Sequence, residues 1–347
     1  MRISIAMATY NGERYLAEQL DSLARQTLSP CELVVSDDGS TDRTLEVVEQ
    51  FARHAPFPVR IFQNETRLGY GENFLKAASL AEGDWIAFCD QDDVWREGKL
   101  KRVSEAILPY PGVVLVVHSA DVADGHLAPR GDVLPRIPRF RVCGPLQNRP
   151  WFTAAGFVCT FSSRLIEDIP WQQRSRDFND PERMQAHDQW IQFLANVMGS
   201  VAYLPDRLAV YRRHEAAVTG SYDVSPAGRL KRIVRTGRDH YLLLASVAEE
   251  YSRFLKGLAE QTRSEYRDAF YNGASYFERL ATWTADRAAL YDYTQPVFPR
   301  IRILADMMRQ GAYSWRSGAG YGTRALAKDL LLLLARSGSR IAPADVN

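Results

Sequence analysis

The sequence predicts an α/β fold, a mostly parallel sheet flanked by helices, with a helical appendage after it. Two observations carry this. Across the first two thirds of the 347 residues short β-type apolar runs alternate with helical periodicity, and from about residue 225 only helical segments remain. Alternation of that kind is the signature of βαβ units. The length exceeds that of one typical domain, so a larger body with a smaller companion is expected, divided at about residues 1–222 and 223–347.

The elements follow in order. Residues 2–8 read as a first strand, and residues 12–26 as a helix in which Tyr15, Leu16, Leu20 and Leu23 recur at helical spacing. Residues 32–36 form a second strand; the turn and N-cap residues Asp38, Gly39, Ser40, Thr41 and Asp42 precede a helix over 44–53. A third strand at 59–63, a helix at 70–81 and a fourth strand at 85–89 complete a nucleotide-sized half of about 100 residues. A second half, to about residue 222, holds strands at 113–118, 157–161, 201–204 and 209–212, and a helix at 187–198. Between them a Pro- and Arg-rich stretch at about 128–150 reads as a long loop. Beyond residue 225 the helical segments break at Pro296-Val297-Phe298-Pro299 and at a Gly-rich gap over 311–322.

Composition narrows the partners. Lys and Arg number 43 against 42 Asp and Glu, so no global positive field exists to bind nucleic acid. The four cysteines, at 31, 89, 143 and 159, form no CxxC pair and read as buried thiols of a reducing compartment. The apolar start is too short for a signal peptide, and no run approaches the roughly 20 residues that span a bilayer. A cytoplasmic protein is expected, at most peripheral on the inner face of a membrane.

In a parallel sheet, ligands gather where the strands end and the βα loops converge. Thr9-Tyr10-Asn11, Asp37-Asp38-Gly39, residues 64–69 and Asp90-Gln91-Asp92-Asp93 all fall at such ends. Asp90, Asp92 and Asp93 supply hard oxygen donors suited to Mg²⁺ or Mn²⁺. Three like charges beside a buried strand repel one another unless a cation joins them. Taken alone, such a cluster is more simply a solvated acidic turn; its position at a strand end favours a site.

The segments Met7-Ala8-Thr9-Tyr10-Asn11-Gly12, residues 35–42 and Phe88-Cys89-Asp90-Gln91-Asp92-Asp93-Val94-Trp95 together resemble glycosyltransferase family 2 in order and spacing. His187-Asp188-Gln189-Trp190 and Tyr211-Arg212-Arg213-His214 resemble the later motifs of its bacterial rhamnosyltransferase-like branch, and the likeness covers about residues 1–222. The resemblance implies a GT-A fold, a Rossmann-like mixed sheet, and an inverting, metal-dependent transfer of a sugar from a nucleoside diphosphate. The donor it suggests is TDP-rhamnose or a UDP-hexose. The acceptor is a glycan or lipid-linked glycan of cell-surface polysaccharide, lipopolysaccharide or capsule. The Gln-x-x-Arg-Trp pattern of processive synthases is absent, which favours one sugar per binding event.

Residue by residue, the resemblance places Thr9, Asp37 and Asp38 beside the nucleoside, where turn and cap duty is the bland alternative for the two aspartates. Arg67 falls near the base or diphosphate. Asp92 is the main metal ligand, Asp90 faces ribose or metal, and Asp93 binds or backs the metal. Asp188 is the general base, the alternative being that it only stabilises its helix N-terminus. His214 is either a third metal ligand or a surface histidine. Arg212 and Arg213 balance diphosphate charge, unless one of them is a solvated strand-end residue.

A dinucleotide oxidoreductase shares the βαβ pattern, but residues 9–14 lack the G-x-G-x-x-G loop it needs. A non-catalytic scaffold of the same fold would have no use for so complete an acidic set. In the appendage, Leu230, Ile233 and Val234 beside Arg229, Lys231, Arg232, Arg235 and Arg238 make an apolar stripe along a basic face. It reads equally as a peripheral membrane contact and as packing on the catalytic body or a second subunit of a homo-oligomer.

Overall fold

The structure is a computed structural model that describes residues 1–214, 237–262, 265–314 and 320–335. The chain divides into two compact units, one of residues 1–177 and 183–221, the other of residues 178–182 and 222–347.

The first unit is built on one mixed sheet. Its strands are β1 (Ile3–Thr9), β2 (Glu32–Asp37), β3 (Val59–Gln63), β4 (Trp85–Cys89), β5 (Val94–Trp95), β6 (Val113–Ala123), β7 (Pro129–Leu134), β8 (Arg141–Cys143), β9 (Cys159–Ser162) and β10 (Ser200–Arg212). Its helices are α1 (Glu13–Ala24), α2 (Thr44–Ala52), α3 (Tyr70–Ser79), α4 (Lys99–Ile107) and α5 (His187–Met198). The strand order is β3-β2-β1-β4-β9-β6-β10-β5, with β7 on β6 and β8 on β10. Pairings β1 to β2, β1 to β4, β2 to β3 and β6 to β10 are parallel. Every residue of β1, β2 and β4 is buried, as expected of strands covered on both faces.

Three features go beyond the strand-by-strand reading. First, β9 runs antiparallel between β4 and β6, so the sheet is mixed, as the family resemblance implies, and the antiparallel strand lies at its centre. Second, the strands expected at 201–204 and 209–212 are one strand, β10, whose register on β6 jumps between Leu204 and Arg207 and again before Ala209. Pro205 lies inside the first jump, and having no N–H it cannot donate to the ladder, so a bulge carries the strand past it. Third, the expected loop at 128–150 contains β7 and β8, short pieces pairing with sheet edges already built by β6 and β10.

The second unit is helical as expected. Helices α6 (Arg238–Gln261) and α7 (Arg267–Leu290) pack as a hairpin around Tyr251, Leu255, Tyr276 and Phe277, all buried. Helix α8 (Val297–Arg309) starts inside the Pro-rich break, since proline suits the first turn of a helix, and α9 (Thr323–Ala335) follows. Asp329 is fully buried and pairs with the Arg287 guanidinium at 2.9 Å, with the hydroxyls of Tyr291 and Tyr313 donating at 3.0 and 2.7 Å. Such a network is tolerated in a core because each charge is matched and hydrogen-bonded. No described helix is long and apolar enough to cross a membrane. The basic apolar stripe lies outside the described residues except for Arg238.

Candidate active site

Because β1, β2 and β4 are parallel and adjacent, their carboxyl ends form one rim. Two amides tie its loops together. Asn11, in the left-handed region at φ 47°, accepts from the Thr41 N–H at 2.8 Å, while its own N–H donates to Ser40 Oγ at 2.9 Å. The Gln91 carboxamide brackets Tyr10, accepting from its N–H at 2.9 Å and donating to its carbonyl at 3.1 Å. A Cβ on Gly12 would overlap that carboxamide, which is why residue 12 carries no side chain.

The carboxylates expected at the nucleoside are engaged by the protein itself. Asp37 is fully buried; it accepts from Thr9 Oγ1 at 2.9 Å, from the N–H groups of Gly39 and Ser40 at 3.1 and 2.8 Å, and from Ser40 Oγ at 2.5 Å. Asp38 accepts from Leu68 N–H at 2.6 Å, Gly69 N–H at 2.8 Å and Asn64 Nδ2 at 3.0 Å. Thr9, Asp37 and Asp38 are therefore buried and hydrogen-bonded within the loops that form the rim. What the rim exposes there is Tyr10, with the Arg67 guanidinium 3.9 Å from its ring centroid. Tyr10 carried no assigned role in the sequence; only the stacking singles it out.

The acidic loop splits by depth. Asp90 and Asp92 are half-buried, whereas Asp93 is fully buried, with Oδ1 accepting from Arg212 N–H at 3.0 Å. Asp93 thus backs the loop through Oδ1, and its Oδ2 has no hydrogen-bond partner among the described residues. Arg212 departs from expectation more sharply. Its Nε donates to the Asp92 carbonyl at 2.7 Å, Nη1 donates to the Gly125 carbonyl at 2.9 Å, and Nη2 pairs with Glu18. All three guanidinium nitrogens are engaged and the side chain is 2% exposed, so Arg212 is a strut under the loop. Arg213 is half-buried and makes no ion pair among the described residues, leaving its guanidinium for an anion. His214 places Nε2 2.9 Å from Asp92 Oδ2, its ring packed 4.7 Å from Tyr15.

Electrostatics joins the distant Asp188 to this group. Burial, then Asp92 and Asp188, push the Asp90 carboxyl up to about 8. Asp188, in the first turn of α5, is pushed up to about 7, chiefly by burial, even though it accepts from Gln189 N–H at 2.7 Å. A carboxylate near 7 beside further carboxylates is poised for proton transfer.

For a divalent ion the donor set is partial. Among the described residues no three His, Cys, Asp or Glu side chains converge as a ligand group. Asp92 Oδ2 and His214 Nε2 do converge, and Asp90 and Asp92 repel in a way that a cation relieves. Divalent ions at phosphate sites are commonly held by one or two carboxylates, with substrate phosphates and water completing the shell, so these residues fit.

His187 is packed by the molecule as a spacer. It stacks on Phe74 at 4.1 Å and meets Phe88 edge-on at 4.7 Å, and burial with the nearby Arg174 draws it down to about 3, leaving the ring neutral. A Cβ on Gly156 would fall on its Nε2. Gly156→Ala is therefore expected to lower stability by about 1–3 kcal/mol through overpacking, read as a lower thermal midpoint. Because the displaced ring directly precedes Asp188, turnover should fall with it.

The family model for glycosyl transferase family 2 matches residues 4–169. A dTDP-rhamnosyl transferase, RfbG, of Shigella flexneri is 28% identical over 235 residues, covering 65% of this chain and 78% of that protein. The poly(ribitol-phosphate) β-N-acetylglucosaminyltransferase TarS of Staphylococcus aureus is 36% identical over 312 residues, 88% of this chain and 51% of TarS. The crystal structure of TarS 1–349 in complex with UDP-GlcNAc superposes with a TM-score of 0.53 at 21% identity, covering 90% and 93% of the two chains, a likeness of fold. Against a glycosyltransferase of Nostoc, 39% identical over 127 residues, the chain spans 38% of the relative's length; against a mycobacterial relative it spans 59%. Residues 4–169, which contain β1 to β4, their rim loops and the whole acidic cluster, match the family model for glycosyl transferase family 2.

Proposed function

We propose that the chain is an inverting, non-processive glycosyltransferase, with a nucleoside diphosphate sugar as donor and a glycan or lipid-linked acceptor of cell-surface polysaccharide. One observation carries the reading: Asp188, half-buried and near 7, stands within electrostatic reach of Asp90 at the mouth of the acidic loop. Asp188 takes the proton of the acceptor hydroxyl as its oxygen bonds to the anomeric carbon. The bond to the diphosphate breaks on the opposite side, which inverts the configuration. Asp92 and His214, with Asp90 beside them, would hold Mg²⁺ or Mn²⁺. When bound, that ion offsets the negative charge growing on the leaving diphosphate. Arg213 adds a guanidinium fork for phosphate oxygens. Tyr10 and Arg67 offer a flat, cationic face on which a nucleobase stacks.

Relatives support two donor classes: one is named a dTDP-rhamnosyl transferase, and another has a crystal structure with UDP-GlcNAc. A thermal-shift screen of TDP- and UDP-sugars with Mg²⁺ and with Mn²⁺ tests the reading. One base and sugar should raise the midpoint only with metal, and the same donor should then be turned over. A screen in which no nucleotide sugar shifts the midpoint would sink it. The proposed setting is the cytoplasm or the inner face of the membrane.

A further inference from the structure

Beneath the acidic loop lies a cation that the transfer scheme above does not use. Lys99 opens α4 and is fully buried. Its Nζ donates to the Phe157 carbonyl at 2.8 Å and lies 3.3 Å from the ring centroid of Trp95. Trp95 ends the short strand β5, which leaves the acidic loop. Phe157 is the middle residue of the 3-10 turn Gly156–Val158, and Gly156 of that turn abuts the imidazole of His187, immediately before Asp188. One ammonium group thus touches both a segment covalently continuous with Asp90–Asp93 and the turn that supports the start of α5.

The charges around it match. Asp93 is fully buried, and its Oδ2 has no hydrogen-bond partner among the described residues. Lys99 is the side-chain cation whose attraction is felt by both Asp90 and Asp93, since Arg212 is engaged by Glu18 and two carbonyls. Burial draws Lys99 down to about 7, and Asp93 and Asp90 are among the groups that act against that fall. An ammonium taken out of water costs folding free energy, and one carbonyl with one aromatic ring is a thin replacement for its hydration. A methionine of similar length would fill the same space without that cost. The lysine is therefore better accounted for by the charge it opposes than by the packing it provides.

We propose that Lys99 is a positioning residue of the transfer site: its buried ammonium joins the acidic loop to the turn under α5 and supplies counter-charge to Asp90 and Asp93, on either side of Asp92, in the loop that receives a metal-bound nucleoside diphosphate. The inference rests on the transferase reading of the same site. Lys99 touches no substrate; it acts through the aspartates.

The test compares the full-length wild type with Lys99→Met and Lys99→Gln, the second retaining a donor for Phe157 without the charge. Thermal midpoint, calorimetric affinity for UDP and TDP with Mn²⁺, and kcat with the donor found by screening are measured for each. Both variants should bind the nucleoside diphosphate about tenfold more weakly and turn over ten- to a hundredfold more slowly, while the midpoint of Lys99→Met is unchanged or higher. A merely structural tie gives the reverse pattern, a lower midpoint with wild-type kcat and affinity per folded molecule, and overturns the proposal. Should Lys99→Met fail to fold, Lys99→Gln decides: wild-type kcat and affinity in that variant mean the charge is not needed. A wild type that binds UDP or TDP with Mn²⁺ but transfers no sugar defeats the catalytic reading alone, because the affinity comparison still judges Lys99.

Discussion

Asp188→Asn is expected to lower kcat by about three orders of magnitude, the range of a lost general base, with donor affinity unchanged. Asparagine keeps the shape and can still accept from the Gln189 N–H, so α5 begins as before and only the proton acceptor is lost. The pH dependence supplies a second signature. With its carboxyl raised to about 7 by burial, Asp188 is protonated below that value, and wild-type kcat should fall about tenfold per pH unit on the acid side. A cation bound beside Asp90 lowers the same carboxyl by Coulomb attraction, so saturating Mn²⁺ should move this limb to lower pH. The variant should show no such limb. The sign for stability is opposite. Between about 4, the ordinary aspartate value, and about 7 the folded state holds a proton that the unfolded chain has lost, so this group erodes stability as pH rises through that window. Asp188→Asn should remove that slope. A variant with near-normal turnover would remove Asp188 from the chemistry.

Chelation is the second large effect. With excess chelator, kcat/KM should drop at least about 100-fold, about 3 kcal/mol of transition-state stabilisation, and recover on adding Mn²⁺ or Mg²⁺. Asp92→Ala should reproduce the loss without recovery, because it removes the carboxylate paired with His214. Full transfer in chelator would leave Asp92 and His214 as a hydrogen-bonded pair and assign the diphosphate charge to Arg213 alone.

The two halves of the first unit are unequally legible in the sequence. Residues 1–100 reveal their strands because each βα unit closes on its neighbour, and local periodicity reports which faces are buried. The second half depends on partners far along the chain. The antiparallel placement of β9 is decided by the open edges of β4 and β6, and β10 stays one strand through Pro205 because β6 templates it on both sides of the bulge. Neither fact has a local signal.

The same division holds within the site. Sequence order and residue chemistry by themselves located the rim: acidic residues at the end of a buried strand, beside turn-rich loops at two other strand ends, and a later Asp opening a helix. What tertiary structure alone decided is which of those polar groups remain available to a ligand. Arg212 and Asp93 are 119 residues apart, yet the Arg212 backbone N–H donates to Asp93 Oδ1, and Asp37 and Asp38 satisfy backbone N–H groups of the loops they hold. A side chain engaged in this way is held in place, because a buried donor or acceptor left without its partner costs about 1–3 kcal/mol. Asp90, Asp92, Asp188, Arg213 and His214 are partly exposed, whereas Thr9, Asp37, Asp38, Asp93 and Arg212 are buried within the loops and hydrogen-bonded there.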